Sequence, residues 1–312
     1  MSGVQLPRRF ARYAVAALGA AAVTVVMSGC ATSPPASATP STLQVVAAEN
    51  FWGSLAGQLG GSHAHVTSII NKPGADPHDY EPTAADAIRL ARAQLAIVNG
   101  IGYDGWASKL IAANPVPHRD VISVGDVVGA RPGDNPHRWY SPGDVRSVIS
   151  AITSAYKQLD PADATYFDQQ KQTVLTQNLK SYFATIATIK SRYAGTPVGA
   201  SESVFTPLAQ ALGLRLLTPR SFLDATSEGS DPTAADKTLV DQQIQQRQIK
   251  VYVYNSQNAT PDVQAQVSAA RRAGIAITTI TETLTPAGAS FQDWQVRELT
   301  GLQQALAQAT GA

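Results

Sequence analysis

The stretch QVVAAENFWGSLAGQLGGSHAHVTSII, residues 44–70, contains the pattern that decides the fold class. Its two ends, residues 44–48 and 66–70, are short runs of small and β-branched residues and predict strands, whereas residues 51–59 between them have helical spacing. Strands that alternate with helices of this length form parallel sheets covered on both faces. The stretch therefore predicts an α/β fold.

The same alternation continues along the rest of the chain. Further strands are predicted at residues 95–98, 121–124, 197–200, 215–217, 251–254 and 276–280. Helices are predicted at residues 83–93, 103–113, 142–159, 204–212, 234–248, 261–273 and 293–309. Between the two halves, residues 160–192 contain neither glycine nor proline after Pro161 and predict one long helix with Asp160 as its N-cap.

These elements predict an α/β protein of two lobes, each with a mainly parallel four-stranded sheet flanked by helices, joined by one long rigid linking helix. The predicted N-terminal lobe covers residues 43–159, the linking helix covers residues 160–193, and the C-terminal lobe covers residues 194–312. The lobes have enough apolar residues for their own cores, because 44% of the 312 residues are hydrophobic.

The N-terminal segment has the organisation of a secretion signal followed by a tether. A basic segment at residues 8–12 precedes an apolar run at residues 13–26, and small residues then precede Cys30. This layout resembles a bacterial lipoprotein signal, in which residues 1–29 are removed and the thiol of Cys30 is acylated. An uncleaved membrane anchor is the alternative, although the apolar run is shorter than the ~20 residues of a typical spanning helix. Residues 30–42 predict a flexible tether.

Charge and cysteine content exclude several classes of function. The formal net charge is +1 and no long basic run is present, so nucleic acid is not expected as a partner. The single cysteine excludes a disulfide framework and a metal site built from several thiolates. Any metal site must therefore use imidazole and carboxylate ligands.

Such ligands follow four of the predicted strands at the points where those strands end. His78 follows the second strand, His137 lies in the loop after the fourth, and Glu202 and Glu282 follow the fifth and the eighth. Ligands of open parallel sheets bind beyond the carboxyl ends of the strands. Two imidazoles and two carboxylates suit Zn²⁺, Mn²⁺ or Co²⁺, and four protein ligands close the coordination shell as in a holding site.

Several motifs resemble the metal-binding lipoproteins of bacterial zinc/manganese ABC importers, the cluster A-I solute-binding proteins. They are PHDYEPT at residues 77–83, NPHRW at residues 135–139 and the Ser201-Glu202 pair before an apolar helix. The resemblance covers residues 43–312. It implies one metal ion held between two α/β lobes by His78, His137, Glu202 and Glu282.

The resemblance further implies a monomeric extracytoplasmic lipoprotein, anchored in the bacterial cell membrane, that delivers Zn²⁺ or Mn²⁺ to an ABC permease and is not an enzyme. Glu202 resembles the manganese-associated branch, since the zinc branch usually has histidine there. Glu282 replaces a usual aspartate, and the nearby acids Asp224, Glu228 and Asp231 are alternatives. The segment Tyr254-Asn255-Ser256 stands where an acidic residue is common.

Two other functions remain open from the residues alone. A metal-dependent hydrolase would need an open coordination position and a base, and the sequence has no HExxH or paired-carboxylate motif. An adhesion or binding lipoprotein for another solute is the second alternative. His63 and His65 are interpreted as surface residues, with a weak secondary metal site as the alternative. Asp79, Tyr80, Asp126 and Arg138 are candidates for orienting the imidazoles.

Overall fold

The structure is a computed structural model that describes residues 42–74 and 80–311. The predicted signal, the tether, Cys30 and the predicted ligand His78 lie outside the described residues. Within those ranges, no helix combines the length and the apolar character needed to cross a membrane.

The N-terminal sheet is parallel and has the strand order β2-β1-β3-β4. Its strands are β1 (Leu43–Glu49), β2 (Ala64–Ile70), β3 (Leu95–Val98) and β4 (Asp120–Ser123). The helices of this half are α1 (Asn50–Gly60), α2 (Ala84–Arg92), α3 (Gly105–Ala113), α4 (Val124–Val128) and α5 (Pro142–Leu159). Helix α5 has the predicted bounds because Ser141 caps its first turn and Pro142 occupies its first position.

The connector between the two sheets is less regular than the single helix that the sequence predicts. It consists of a 3₁₀ turn at Pro161–Asp163, helix α6 (Ala164–Thr173), a π-helical turn at Val174–Asn178 and helix α7 (Lys180–Tyr193). The amide of Leu179 donates to the carbonyl of Val174 at 2.9 Å, and both of these side chains are buried. The wide turn brings two apolar residues five positions apart onto one face of the helix, a register that α-helical periodicity does not predict.

The C-terminal sheet repeats the parallel arrangement with the strand order β6-β5-β7-β8. Its strands are β5 (Pro197–Ala200), β6 (Arg215–Leu216), β7 (Val251–Asn255) and β8 (Ala276–Ile280). The helices are α8 (Thr206–Leu212), α9 (Arg220–Ser227), α10 (Ala234–Gln245), α11 (Pro261–Arg272) and α12 (Phe291–Thr310). Helices α4 and α9 were not predicted. Helix α4 has only five residues, and in α9 the large apolar residues Phe222 and Leu223 are adjacent, so neither sequence shows a helical repeat.

The two sheets confirm the predicted fold class, and they belong to one compact unit with a shared core. Phe51 of α1 stacks on Trp139 at a centroid distance of 4.0 Å and lies 6.5 Å from the ring of Trp294 in α12. Trp52 and Trp139 are fully buried, as expected for packing residues. Aromatic packing between α1 and α12 therefore joins the halves at a second place besides the connector. The domain boundaries themselves remain predictions.

Candidate metal centre

Three of the four predicted ligands converge beyond the carboxyl ends of the strands. Glu202 follows β5, Glu282 follows β8, and His137 precedes a 3₁₀ turn at Arg138–Tyr140. Nε2 of His137 lies 3.9 Å from Oε2 of Glu282. The side-chain amide of Asn255, at the end of β7, donates to Glu202 at 2.9 Å and to Glu282 at 2.8 Å. One imidazole and two carboxylates thus share one location, although they lie far apart in the chain.

The imidazole of His137 is fully buried and its tautomer is set by Asn135. The backbone amide of His137 donates to Oδ1 of Asn135 at 2.9 Å, and Nδ1 lies 3.0 Å from the same oxygen. Because that oxygen is an acceptor, Nδ1 carries the proton and Nε2 is the nitrogen available to an ion. Asn135 also donates to the Ser203 carbonyl at 2.7 Å, and Asn99 donates to the Pro136 carbonyl at 2.9 Å. The histidine loop is therefore held by both halves.

The carboxylate of Glu282 receives hydrogen bonds from both halves. Asn255 donates to one of its oxygens, and the hydroxyl of Tyr103 donates to the other at 3.0 Å. Tyr103 is fully buried and its ring meets the His137 ring edge-on at 5.8 Å. Oε1 of Gln257 accepts from the backbone amide of Glu282 at 2.7 Å. These contacts fix the position of a carboxylate that is otherwise 13% exposed.

Glu49 and Asp104, the residue that follows Tyr103 in the chain, form a buried pair of acids in the N-terminal half. The carboxylate of Asp104 accepts from the backbone amides of Asn99 and Gly100 at 2.6 and 2.8 Å. Burial, followed by the nearby charge of Asp104, raises the pKa of Glu49 well above its usual range, and burial raises the pKa of Asp104 as well. Two such acids in one apolar place cannot both ionise, so Glu49 retains the proton and Asp104 accepts the backbone hydrogen bonds.

A second polar cluster fastens the segment before Glu282 to the N-terminal half. The phenol of Tyr140 lies 2.6 Å from the Thr281 carbonyl and 2.5 Å from Oε2 of Glu298. Trp294 donates to the other oxygen of Glu298 at 2.9 Å. Burial raises the pKa of Glu298 to about 7, against the lowering effect of these hydrogen bonds. A protonated Glu298 can donate to the phenol oxygen while the phenol donates to Thr281.

A comparison with protein families identifies the family of the chain. The family model described as "ZnuA: Zinc-uptake complex component A periplasmic" matches residues 45–305. The chain belongs to the ZnuA family. The resemblance that the sequence motifs indicate is thereby confirmed.

Two relatives resemble the chain over different lengths. The iron-binding protein YfeA of Yersinia pestis is 29% identical over 185 residues, which cover 57% of this chain and 59% of YfeA. This chain therefore spans less than two thirds of YfeA. The manganese ABC transporter substrate-binding lipoprotein PsaA of Streptococcus mitis is 23% identical over 260 residues, which cover 76% of this chain and 80% of PsaA.

The solved structures confirm the two-sheet fold. The Mn-bound periplasmic metal-binding protein of Candidatus Liberibacter asiaticus has a TM-score of 0.69 at 20% identity, covering 84% of this chain and 98% of that one. The periplasmic zinc-binding protein TroA of Treponema pallidum has a TM-score of 0.68 at 19% identity, covering 86% of this chain and 99% of TroA.

Two of the three alternative fourth ligands, Asp224 and Asp231, pair with basic side chains in this member of the ZnuA family. Asp224 pairs with Arg220 at 3.0 Å, and with Glu228 it lines a cavity of about 200 Å³ beside His137. The side chain of Asp231 is 98% exposed. Of these three acids and Glu282, all within residues 80–311, only Glu282 lies within ion-pair distance of His137, which makes it the best candidate.

Two residues expected to orient the imidazoles have other roles in the structure. Tyr80 donates to Asp86 at 2.9 Å, and Arg138 pairs with Asp144 at 2.5 Å. Asp126 is exposed, and Asp79 lies outside the described residues. The residues that contact the predicted ligands are Asn135, Tyr103 and Asn255. Only the Asn135-Pro136-His137 sequence offers a local signal, since the partners of Tyr103 and Asn255 are distant in the chain.

Proposed function

We propose that this chain captures a divalent transition-metal ion, Zn²⁺ or Mn²⁺, outside the cell membrane and delivers it to an ABC permease. The observation that carries the proposal is the convergence of His137, Glu202 and Glu282 from the carboxyl ends of both sheets. Membership of the ZnuA family and the metal-binding relatives support the same cargo class. His78 supplies the fourth ligand, and acylated Cys30 holds the protein at the membrane.

The donor set explains why the ion is cargo rather than a catalyst. Two carboxylates neutralise the charge of a dication, and the imidazoles supply the nitrogen ligands that Zn²⁺ and Mn²⁺ accept. Four protein ligands leave no open position for a reacting water or substrate, so the site holds the ion. The two carboxylates favour oxygen-seeking ions such as Mn²⁺, while the general stability order favours Zn²⁺.

Capture and release follow from where the ligands come from. His137 belongs to the N-terminal half, whereas Glu202 and Glu282 belong to the C-terminal half. An ion bound by all three bridges the two halves and stabilises their contact by RT ln(1 + [L]/Kd). The permease releases the ion by separating the His137 loop from the Glu282 segment.

The test measures binding of Zn²⁺ and of Mn²⁺ to the full chain after chelator treatment. His137→Ala and Glu202→Gln should each weaken the tightest binding step by 100-fold or more, about 2.7 kcal/mol. His118→Ala, at an exposed loop position, is the matched control and should leave affinity unchanged. Tight binding that survives both ligand substitutions, or turnover of a substrate that depends on His137, would overturn the proposal.

A further inference from the structure

A second group of metal-binding side chains lies at the start of the connector, on elements that carry none of the ligands described above. His63 ends a 3₁₀ turn at Gly61–His63, and Asp160 and Asp163 flank the turn between α5 and α6. Nδ1 of His63 lies 2.9 Å from a carboxylate oxygen of Asp163. One ligand atom from each of the three residues lies within 4.8 Å of the other two.

These separations fit a single ion. Ligand atoms about 2.1 Å from a tetrahedral Zn²⁺ lie about 3.4 Å from one another, so small side-chain rotations complete the geometry. All three residues are half-buried, with 22% of the His63 side chain and 33% of the Asp163 side chain exposed. An ion can reach the cluster from solvent, and water can occupy its remaining coordination positions.

The two aspartates are not accounted for by helix capping or by ordinary ion pairing. Asp160 and Asp163 occupy N-cap positions, yet neither side chain makes a capping hydrogen bond. Among the ion pairs of residues 42–74 and 80–311, Asp163 pairs only with His63, and Asp160 pairs with no cation. The cluster therefore holds two negative charges against one imidazole, an arrangement that attracts a cation.

The imidazole of His63 is held in place by aromatic neighbours. Its ring packs on Tyr166 at a centroid distance of 4.1 Å and meets the ring of Phe167 edge-on at 5.9 Å. The hydroxyl of Tyr166 accepts from the backbone amide of Ser62 at 3.2 Å, which ties the 3₁₀ turn to α6. Nδ1 is thus directed at the aspartates before any ion binds, so little side-chain entropy is lost on binding. In the metal-free protein Nδ1 carries the proton that faces Asp163, and an ion that binds Nδ1 displaces this proton, which leaves the neutral imidazole protonated on Nε2.

We propose that His63, Asp160 and Asp163 form a second binding site for a divalent transition-metal ion, completed by water. One imidazole nitrogen and two carboxylate oxygens suit Zn²⁺, with Mn²⁺ bound more weakly. The bound ion joins the turn after α1 to the beginning of α6. It therefore stabilises the attachment of the connector to the N-terminal sheet, independently of the cargo site.

The test uses the full chain carrying His137→Ala, so that the proposed cargo site is weakened throughout. Chelator-treated protein is titrated with ZnCl₂ alone, and the affinity and the change in Tm are measured. His63→Phe keeps the ring that packs on Tyr166 but removes the ligand nitrogen, and Asp160→Asn keeps the shape of the aspartate. Each should lower Zn²⁺ affinity at the second site at least tenfold and reduce the rise in Tm.

The matched control is His65→Ala, which removes an exposed imidazole two residues away. It should leave Zn²⁺ binding unchanged. Equal losses for His63→Phe and His65→Ala would show only nonspecific surface binding and would overturn the proposal. So would an unchanged titration in His63→Phe or in Asp160→Asn. Far-UV circular dichroism of the metal-free variants establishes that each remains folded.

Discussion

The two halves of the molecule hold their candidate metal ligands in different ways. In the N-terminal half, the imidazole of His137 is oriented by one neighbouring amide, Asn135, which selects the tautomer. In the C-terminal half, two carboxylates are held together by one distant amide, Asn255, which donates to both. The difference follows from charge. A neutral imidazole binds an ion through one nitrogen only when its proton is held on the other, whereas two neighbouring carboxylates repel each other unless a donor lies between them.

Stability should depend more strongly on the C-terminal arrangement. Removal of the Asn255 amide leaves the carboxylates of Glu202 and Glu282 without the donor between them. Asn255→Leu is expected to lower the free energy of unfolding of the metal-free protein by about 2–4 kcal/mol at pH 7, because buried acceptors lose charge-assisted hydrogen bonds. It should also weaken Zn²⁺ binding tenfold or more. Urea denaturation and calorimetric titration measure these changes.

A half-buried amide from the same loop provides the control for this prediction. Asn258 donates a weak hydrogen bond to the Thr226 carbonyl at 3.5 Å, away from the two carboxylates that Asn255 bridges. Asn258→Leu should therefore change stability by much less. If Asn255→Leu and Asn258→Leu lowered the free energy of unfolding equally, the hydrogen bonds from Asn255 to the two carboxylates would not be the cause of the destabilisation.

The contact between the halves at Glu298 should make stability depend on pH. Because burial raises the pKa of Glu298 to about 7 from the ~4.3 of an unfolded glutamate, the folded state binds more protons between these values. The contribution of Glu298 to the free energy of unfolding is fully present below about pH 4. It decreases by up to a few kcal/mol as the pH rises through 7.

Glu298→Gln should remove this loss and flatten the profile of unfolding free energy between pH 4.5 and about 7. Chemical denaturation at a series of pH values measures it, with Glu228→Gln, an exposed glutamate, as the control. A wild-type slope that persists in Glu298→Gln would assign the pH dependence to other groups.

In the N-terminal half, loss of the Asn135 side chain should change the affinity for Zn²⁺ more than the free energy of unfolding. Asn135→Ala frees the proton of His137 to occupy either nitrogen, so Zn²⁺ affinity should fall about tenfold, while unfolding free energy changes by about 1 kcal/mol. Asn114→Ala removes a comparable half-buried amide that donates to the Leu110 carbonyl, and it should not alter affinity. An affinity unchanged in Asn135→Ala would contradict the proposed role of the tautomer.

Local sequence patterns predicted the bounds of several strands correctly. The strands Leu95–Val98, Pro197–Ala200 and Ala276–Ile280 have the predicted bounds, because short β-branched runs between helices have one interpretation. The connector was predicted as one helix, and its π-helical turn was missed, because the burial of Val174 and Leu179 on one face depends on what packs against them.

The site could be predicted only as a set of candidates. Strand ends indicated His137, Glu202 and Glu282, while their assignment as ligands stays a proposal. Their supporting residues were beyond prediction, since Tyr103 reaches Glu282 across 179 positions of the chain. The sequence predicts His63 and His65 as surface residues, with a weak secondary metal site as the alternative, and the structure places His63 beside Asp163.

The amino-acid sequence by itself determined the alternation of strands and helices and the chemical types of the candidate ligands. These depend on periodicity and composition, which are local properties. The tertiary structure alone decided which polar side chains meet: Asn255 between two glutamates, Tyr103 on Glu282, and His63 against an aspartate of the connector. Such contacts depend on distances between residues that are far apart in the chain, and only the packing of the two sheets sets those distances.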